Sequence, residues 1–279
     1  MNKKVYIKAA SQISVQEPLS EEWMLNPRHL SGPAVRCIDP DYKQFFSPMQ
    51  ARRMGLLFKR AMVTSRKVLE TSGITCPDAV ITGTALGCIE NTEHFLDPMC
   101  RDTEVTLSPT AFMQSTHNTI GSMVAISLGC HGYNCTYSQD GISFESALLD
   151  GVMQLEFGEA GNVLVGAHDE LTENVVRLRE AIEPEEFPFS EGSVAMVLAA
   201  DSPEGALCEV ADVRLSSCPY EADNVLDNEL VSSIFGRCGS ASGLGVYAAA
   251  HMIAVGRYDS ILVANETGAN AGYVFLKKV

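Results

Sequence analysis

Apolar residues recur along this chain in two patterns, short unbroken or alternating runs and longer runs of helical period, and the two take turns from end to end. "VYIKAASQIS" opens as a strand. After a loop carrying Pro27, Pro33, Pro40 and Pro48, apolar residues fall at Met54, Leu57, Phe58, Ala61, Met62, Val68 and Leu69. That spacing predicts an amphipathic helix within 50–72, with Gly73 in the position that ends it. "DAVITGTALG" then reads as a buried strand running into a Gly-rich loop. Ser108-Pro109 predicts a helix start, and a second helix begins near Thr119. Next, "GYNCTYSQDGISFESALLDG" (132–151) reads as a β-branched and aromatic strand, a tight turn and an amphipathic helix, the layout that presents a nucleophile at a strand-to-helix elbow. Cys135 lies in its strand part, and the turn offers Ser138, Gln139, Asp140 and Gly141.

Two later segments repeat one layout: "FESALLDGVMQLEFGEAGNVLVGAHDE" and "LGVYAAAHMIAVGRYDSILVANETG". Each is an apolar helix, a glycine (Gly158 or Gly256), a short polar link and a near-continuous apolar strand, Asn162 to Gly166 and Ser260 to Ala264. "GSVAMVLAA", "ALCEVADVRL" and "GYVFLKK" add further strands. Strands without polar alternation belong to sheets covered on both faces, so the expected class is α/β, an internally duplicated α/β/α/β/α sandwich. One domain over 1–279 is expected, with a first half of about 1–200, a shortened second half of about 203–279 and a weak seam at Asp201-Ser202-Pro203.

At 279 residues and 46% hydrophobic, the chain can bury a substantial core. No apolar run approaches membrane-spanning length and the N-terminus lacks the pattern of a signal peptide, so the expectation is a cytoplasmic protein without membrane insertion. Nine cysteines are scattered singly without CxxC or paired Cys/His spacing, which argues against a metal site and against a complete disulfide framework. A net charge of −15 excludes nucleic acid as a natural partner, because binding it requires clustered positive charge. Arg52, Arg53, Lys59, Arg60, Arg66 and Lys67 crowd one early segment, and Glu180, Glu183, Glu185, Glu186 and Glu191 a later one; charge runs of this kind ordinarily form solvated faces.

Four stretches together resemble the thiolase-fold condensing enzymes, the β-ketoacyl synthases. "SFESALLDGVMQLEFGEAGNVLVGAHDE" is similar to the helix and strand after the synthase nucleophile, "FSEGSVAMVLAA" to a GEGA-type strand, "GRCGSASGLGVYAAAHMIAVG" to the GHxxGAAG helix, and "NETGANAGYVFLK" to the terminal GFGGTN-plus-strand motif. With "PTAFMQSTHNTIG" and "NCTYSQDGISFE", the pattern most resembles the short synthase-like proteins of aryl-polyene or flexirubin-type pigment clusters. The resemblance implies a Cys nucleophile and two histidines for decarboxylative condensation. In their place the chain carries Gly141 in one register or Ser138 in another, Arg237 at the histidine of GHxxGAAG, no HGTGT-like histidine in "SSCPYEADNVLDNELVSSIFG", and Glu266 at the phenylalanine of the last motif.

No catalytic residue is therefore expected. Ser138 would need a general base, with only His117, His131 and His168 on offer, and is read as a turn serine. Cys135 is read as core packing. His117, in a polar island, is with Cys135, Ser138, Gln139 and Glu266 a candidate for lining a pocket or interface; Arg237 would bind a carboxylate or, as favoured, pair with an acid such as Glu266; His168-Asp169-Glu170 would form a hydrogen-bonded turn at a strand end. No cofactor is implied. The favoured expectation is a non-catalytic subunit, comparable to the chain-length factors, that pairs with a full-length β-ketoacyl synthase in type II fatty-acid or polyketide biosynthesis of the aryl-polyene kind. Acyl carrier protein would dock through Arg52, Arg53, Lys59 and Arg60, and a homodimer across an edge strand near the elbow would form in isolation. Two alternatives stand: an acyltransferase or 3-oxoacyl synthase with a non-standard nucleophile, and an acyl-binding or scaffold protein on the same fold.

Overall fold

The apolar runs become the strands of a single mixed sheet in a computed structural model that describes residues 3–52, 54–101, 107–182, 186–216, 221–268 and 270–279. The first half begins with β1 (Val5–Ile13), the short capped turn α1 (Pro48–Ala51) and α2 (Leu56–Ser72), which ends on Gly73 at φ 72°. There follow β2 (Ala79–Gly83), α3 (Ile89–Arg101), α4 (Pro109–Gln114), α5 (Thr119–Leu128), β3 (Tyr133–Tyr137), α6 (Ser143–Glu156), β4 (Asn162–Asp169), α7 (Glu173–Ile182) and β5 (Gly192–Ala200). The Ser108 side chain caps α4 with Pro109 at its first turn, as the Ser-Pro pair predicts. The second half contains β6 (Cys208–Leu215), β7 (Val225–Leu226), α8 (Asn228–Phe235), α9 (Ala241–Ala254), β8 (Ser260–Thr267) and β9 (Asn270–Lys277).

The strand order is β3-β2-β4-β5-β1-β6-β9-β8-β7. Outward from the β1–β6 junction, each half places its first strand, its last strand antiparallel to that, and then the strand after its inner helix: β1-β5-β4 and β6-β9-β8. The first half continues with β2 and the edge strand β3; the second continues with the two-residue β7 and has no counterpart of β3 among the described residues. The duplication, and the abridgement of the second half, are thus visible in the order of the strands.

Helices α6 and α9 are the shared middle layer. α6 packs on β2 and β4 and reaches β6, while α9 packs on β8, β5 and β1. One buried cluster joins them, with Phe144, Leu148, Val165, Met196, Leu244, Tyr247, Val263 and Leu276. Small residues permit this approach: a Cβ on Gly243 would lie 2.9 Å from the Phe144 ring, and one on Gly151 2.8 Å from Val165. A second cluster, under α2 and α5, covers the outer face of the first half. Among the described residues the helices against β6 and β9 are α6 and α9, both on the inner side, and β9 alternates between buried and partly exposed positions. The second half is therefore thinner as well as shorter.

Candidate functional site

The elbow forms where β3 hands over to α6. Thr84 N–H donates to Tyr137 O (3.0 Å), the Ser143 hydroxyl lies 3.0 Å from Thr84 O and 2.7 Å from Asp140 O, and Gln139 N–H donates to Ser143 Oγ (2.8 Å). Ser143 thus stitches the turn to the end of β2. Asp140, at the tip, holds φ 52°, a left-handed conformation that side-chain-bearing residues seldom adopt. The residue after it, Gly141, has no room for a side chain: an added Cβ would lie 2.8 Å from both Cγ2 and Oγ1 of Thr267, at the end of β8.

A cavity of about 640 Å³ opens beside this contact. Asp140 and Gly141 form one wall, Asn265, Glu266 and Thr267 another, and Asn228, Ser232, Arg237 and Ser242 the side supplied by α8 and the start of α9, with Arg179 and Ile182 from α7. Both halves of the duplicated fold therefore contribute. The elbow, Arg237 and Glu266, which the motifs single out separately, meet in one place.

Among the described residues Glu266 is not the acid that pairs with Arg237. The Arg237 guanidinium stacks on Phe189, 4.7 Å from the ring centre, and Arg179 lies 5.8 Å from the same ring. Glu266 instead accepts from Tyr273 (2.6 Å), while its backbone N–H donates to Asn228 Oδ1 (3.1 Å) and its carbonyl accepts from Asn228 Nδ2 (2.7 Å). Behind the wall, Asn265 Nδ2 donates to Gly141 O (2.7 Å) and to Glu145 Oε1 (2.8 Å). Burial pushes the Glu145 carboxyl up to about 7, against the opposing effect of Asn265, and its second oxygen Oε2 has no hydrogen-bond partner among the described residues. Glu145, Asn228 and Asn265 are not singled out by the sequence, whereas Asp140 is part of the turn it predicts. Asn265 sits inside the "NETG" motif, but Glu145 has no local signal, because its burial exists only once both half-sheets close on α6.

Other expected site residues lie apart. Ser138 is exposed, with its hydroxyl 3.4 Å from Ala85 O, and no histidine is among the described residues that line the cavity. Gln139 accepts from Ser146 Oγ and so braces the first turn of α6. His117 is exposed and packs on Gly87, where an added Cβ would lie 3.3 Å from its ring. Cys135 is half-buried on edge strand β3, against the main core. His168 and Asp169 end β4 rather than forming a turn after it; His168 Nδ1 lies 2.8 Å from Ser193 Oγ and burial lowers its pKa to about 3, leaving it neutral.

The basic segment needs correction. Arg60 is 1% exposed, on the face of α2 that carries Leu57, Ala61, Thr64 and Val68, and cannot belong to a docking patch. It grips Asp39 through two contacts of 2.7 and 2.8 Å and Glu191 through a third of 3.0 Å. Burial works against its charge, but these acids prevail and hold the guanidinium protonated. Burial also opposes the charge on Asp39, and Arg60 and Tyr42 prevail, lowering its pKa. Glu191, counted in the acidic run, is the buried partner of this network. Arg53, Glu183 and Glu185 lie outside the described residues. Arg52, Arg66 and Lys67 are exposed, and Lys59 is half-buried over the Tyr42 ring.

Residues 21–229 match the β-ketoacyl synthase N-terminal domain family, and the chain belongs to it. No curated protein matches the chain. Among solved structures, the ishigamide ketosynthase/chain length factor superposes with a TM-score of 0.81 at 15% identity over 100% of both chains. A type II polyketide synthase acyl-carrier protein in complex with its ketosynthase bound to the hexaketide gives 0.82 at 12% identity, again over 100% of both. A ketosynthase in complex with its chain length factor from Xenorhabdus doucetiae gives 0.67 at 15% identity over 99% of both. At these identities the likeness is one of fold, the layered, duplicated sandwich of the condensing enzymes.

Proposed function

We propose that this chain is a non-catalytic, chain-length-factor-like subunit that pairs with an active β-ketoacyl synthase in a type II system of the aryl-polyene kind. The contact between Gly141 and Thr267 carries the reading. The family's chemistry needs a thiol at the elbow, and here the space that a side chain would occupy is filled from the opposite half of the molecule. Arg237, a permanent cation, cannot serve as the base that a histidine would supply. What remains is the shape of a synthase half, with an elbow, a cavity and an edge strand available for a partner. The exposed start of β3, at the end of the sheet, supports pairing there with a synthase or with a second copy of this chain. Acyl carrier protein would engage the pair through the remainder of the basic segment, the exposed Arg52, Arg66 and Lys67 with the half-buried Lys59, supplemented by the partner.

The test has two arms. Co-expression with a ketoacyl synthase that retains Cys-His-His should yield a stable one-to-one complex. Incubation of this chain alone with an acyl-loaded carrier protein should leave its intact mass unchanged. One observation favours a second reading: the left-handed Asp140 lines the cavity at the tip of the elbow, where its carboxylate could form an acyl adduct. An adduct mapped to Asp140 or Ser138 would replace the first reading with an acyltransferase, and failure to bind any synthase would leave a scaffold or acyl-binding protein.

A further inference from the structure

Strands β2 and β3 run parallel with Ala79 opposite Tyr133, and each is preceded, three residues before that pair, by a cysteine: Cys76 and Cys130. The two lead-in loops touch one residue before that pair, where an added Cβ on Gly132 would lie 1.9 Å from the carbonyl oxygen of Asp78, and the Cys76 thiol neighbours that of Cys130 closely enough to hydrogen-bond. Cys76 is exposed, with its thiol 3.6 Å from Pro77 O, whereas Cys130 is buried below it at the end of α5. Burial, the neighbouring Cys130 thiol and Asp78 all raise the pKa of Cys76.

We propose that Cys76 and Cys130 form a reversible thiol–disulfide clasp that fastens the edge strand β3 to β2. The oxidant is a low-molecular-weight disulfide such as glutathione disulfide. The Cys76 thiolate attacks one sulfur of that disulfide, its S–S bond breaks, and one glutathione leaves and takes up a proton. The Cys130 thiolate then attacks the Cys76 sulfur of the mixed disulfide and expels the second glutathione. Two protein thiols are oxidised and one glutathione disulfide is reduced to two thiols. Exposure of Cys76 lets the first step occur, and burial of Cys130 shields it from reacting alone. The raised pKa of Cys76 keeps the first step slow at neutral pH and speeds it as pH rises.

The experiment treats the full chain, reduced and then freed of reductant, with glutathione disulfide. Two free thiols should be lost, a peptide linking Cys76 to Cys130 should appear, and dithiothreitol should reverse both. Amide exchange across Tyr133–Tyr137 should slow in the oxidised form. Cys130→Ser should instead retain one glutathione on Cys76, and Cys76→Ser should retain none. A stable glutathione adduct on Cys76 of the unsubstituted chain, a link between other cysteines or no loss of thiol would each overturn the clasp, whether or not the serine variants fold.

Discussion

Gly141 meets Thr267 across the join of the two halves, and that contact sets what substitution can restore. Gly141→Cys should not create activity, alone or with Arg237→His, and should cost about 1–3 kcal/mol in chemical denaturation because the new side chain overpacks against Thr267. Adding Thr267→Ala should recover most of that loss; a Gly141→Cys protein as stable as the parent would show that the wall yields. Glu145 gives a second prediction. Its folded carboxyl titrates near 7, above the unfolded value near 4.3, so between those pH values the unfolded chain releases a proton that the folded chain keeps. Stability from Glu145 is full below the lower value and falls as pH rises through 7. Glu145→Gln should remove that slope and leave the variant more stable at pH 8 than the parent, by up to roughly 3 kcal/mol. Equal slopes in parent and variant would mean that Glu145 is ionised throughout.

At the scale of elements, α2 shows how a charge cluster divides once the helix has a face. Its period was legible from the sequence, and the same period places Arg60 with Leu57, Ala61 and Thr64 rather than with Arg66 and Lys67. Arg60→Met should cost about 3–5 kcal/mol, because Asp39 and the buried Glu191 lose their shared cation. Reversal of Arg52, Lys59, Arg66 and Lys67 to Glu should leave stability within about 1 kcal/mol and weaken carrier-protein binding in titration against the paired complex. Unchanged affinity would return the segment to a solvated helix face. Helices α3, α7 and α8 were not read from the sequence. Both α3 and α7 carry apolar residues at helical spacing, Phe95, Leu96 and Met99 in one and Val175, Leu178 and Ile182 in the other, but α3 is interrupted by Pro98 and buries none of its described residues, and α7 buries only Val175.

The whole molecule ends in two unequal edges. β7 is two residues long, while β3 runs for five at the other end of the sheet, with Tyr133 43% exposed. Edges of the second kind pair with other chains unless charge or proline blocks them. Tyr133→Lys with Asn134→Lys should convert a dimer of this chain into a monomer in sedimentation velocity and should abolish complex formation with the synthase. Retained association would place the partner elsewhere.

The sequence by itself determined the strands, the two repeats of helix and strand and the substitutions at Gly141, Arg237 and Glu266, since periodicity and motif order are local properties. From these followed the class of fold and the expectation of a subunit without the condensing residues. Tertiary structure alone decided that Thr267 occupies the space at Gly141, that Asn265 joins the elbow to a buried Glu145, that Arg60 is a core residue, and that the loops carrying Cys76 and Cys130 meet. Each of these joins residues from 21 to 131 positions apart in the chain. Such separations carry no periodic signal, because what brings the residues together is the closure of two half-sheets on α6 and α9 and the register of neighbouring strands.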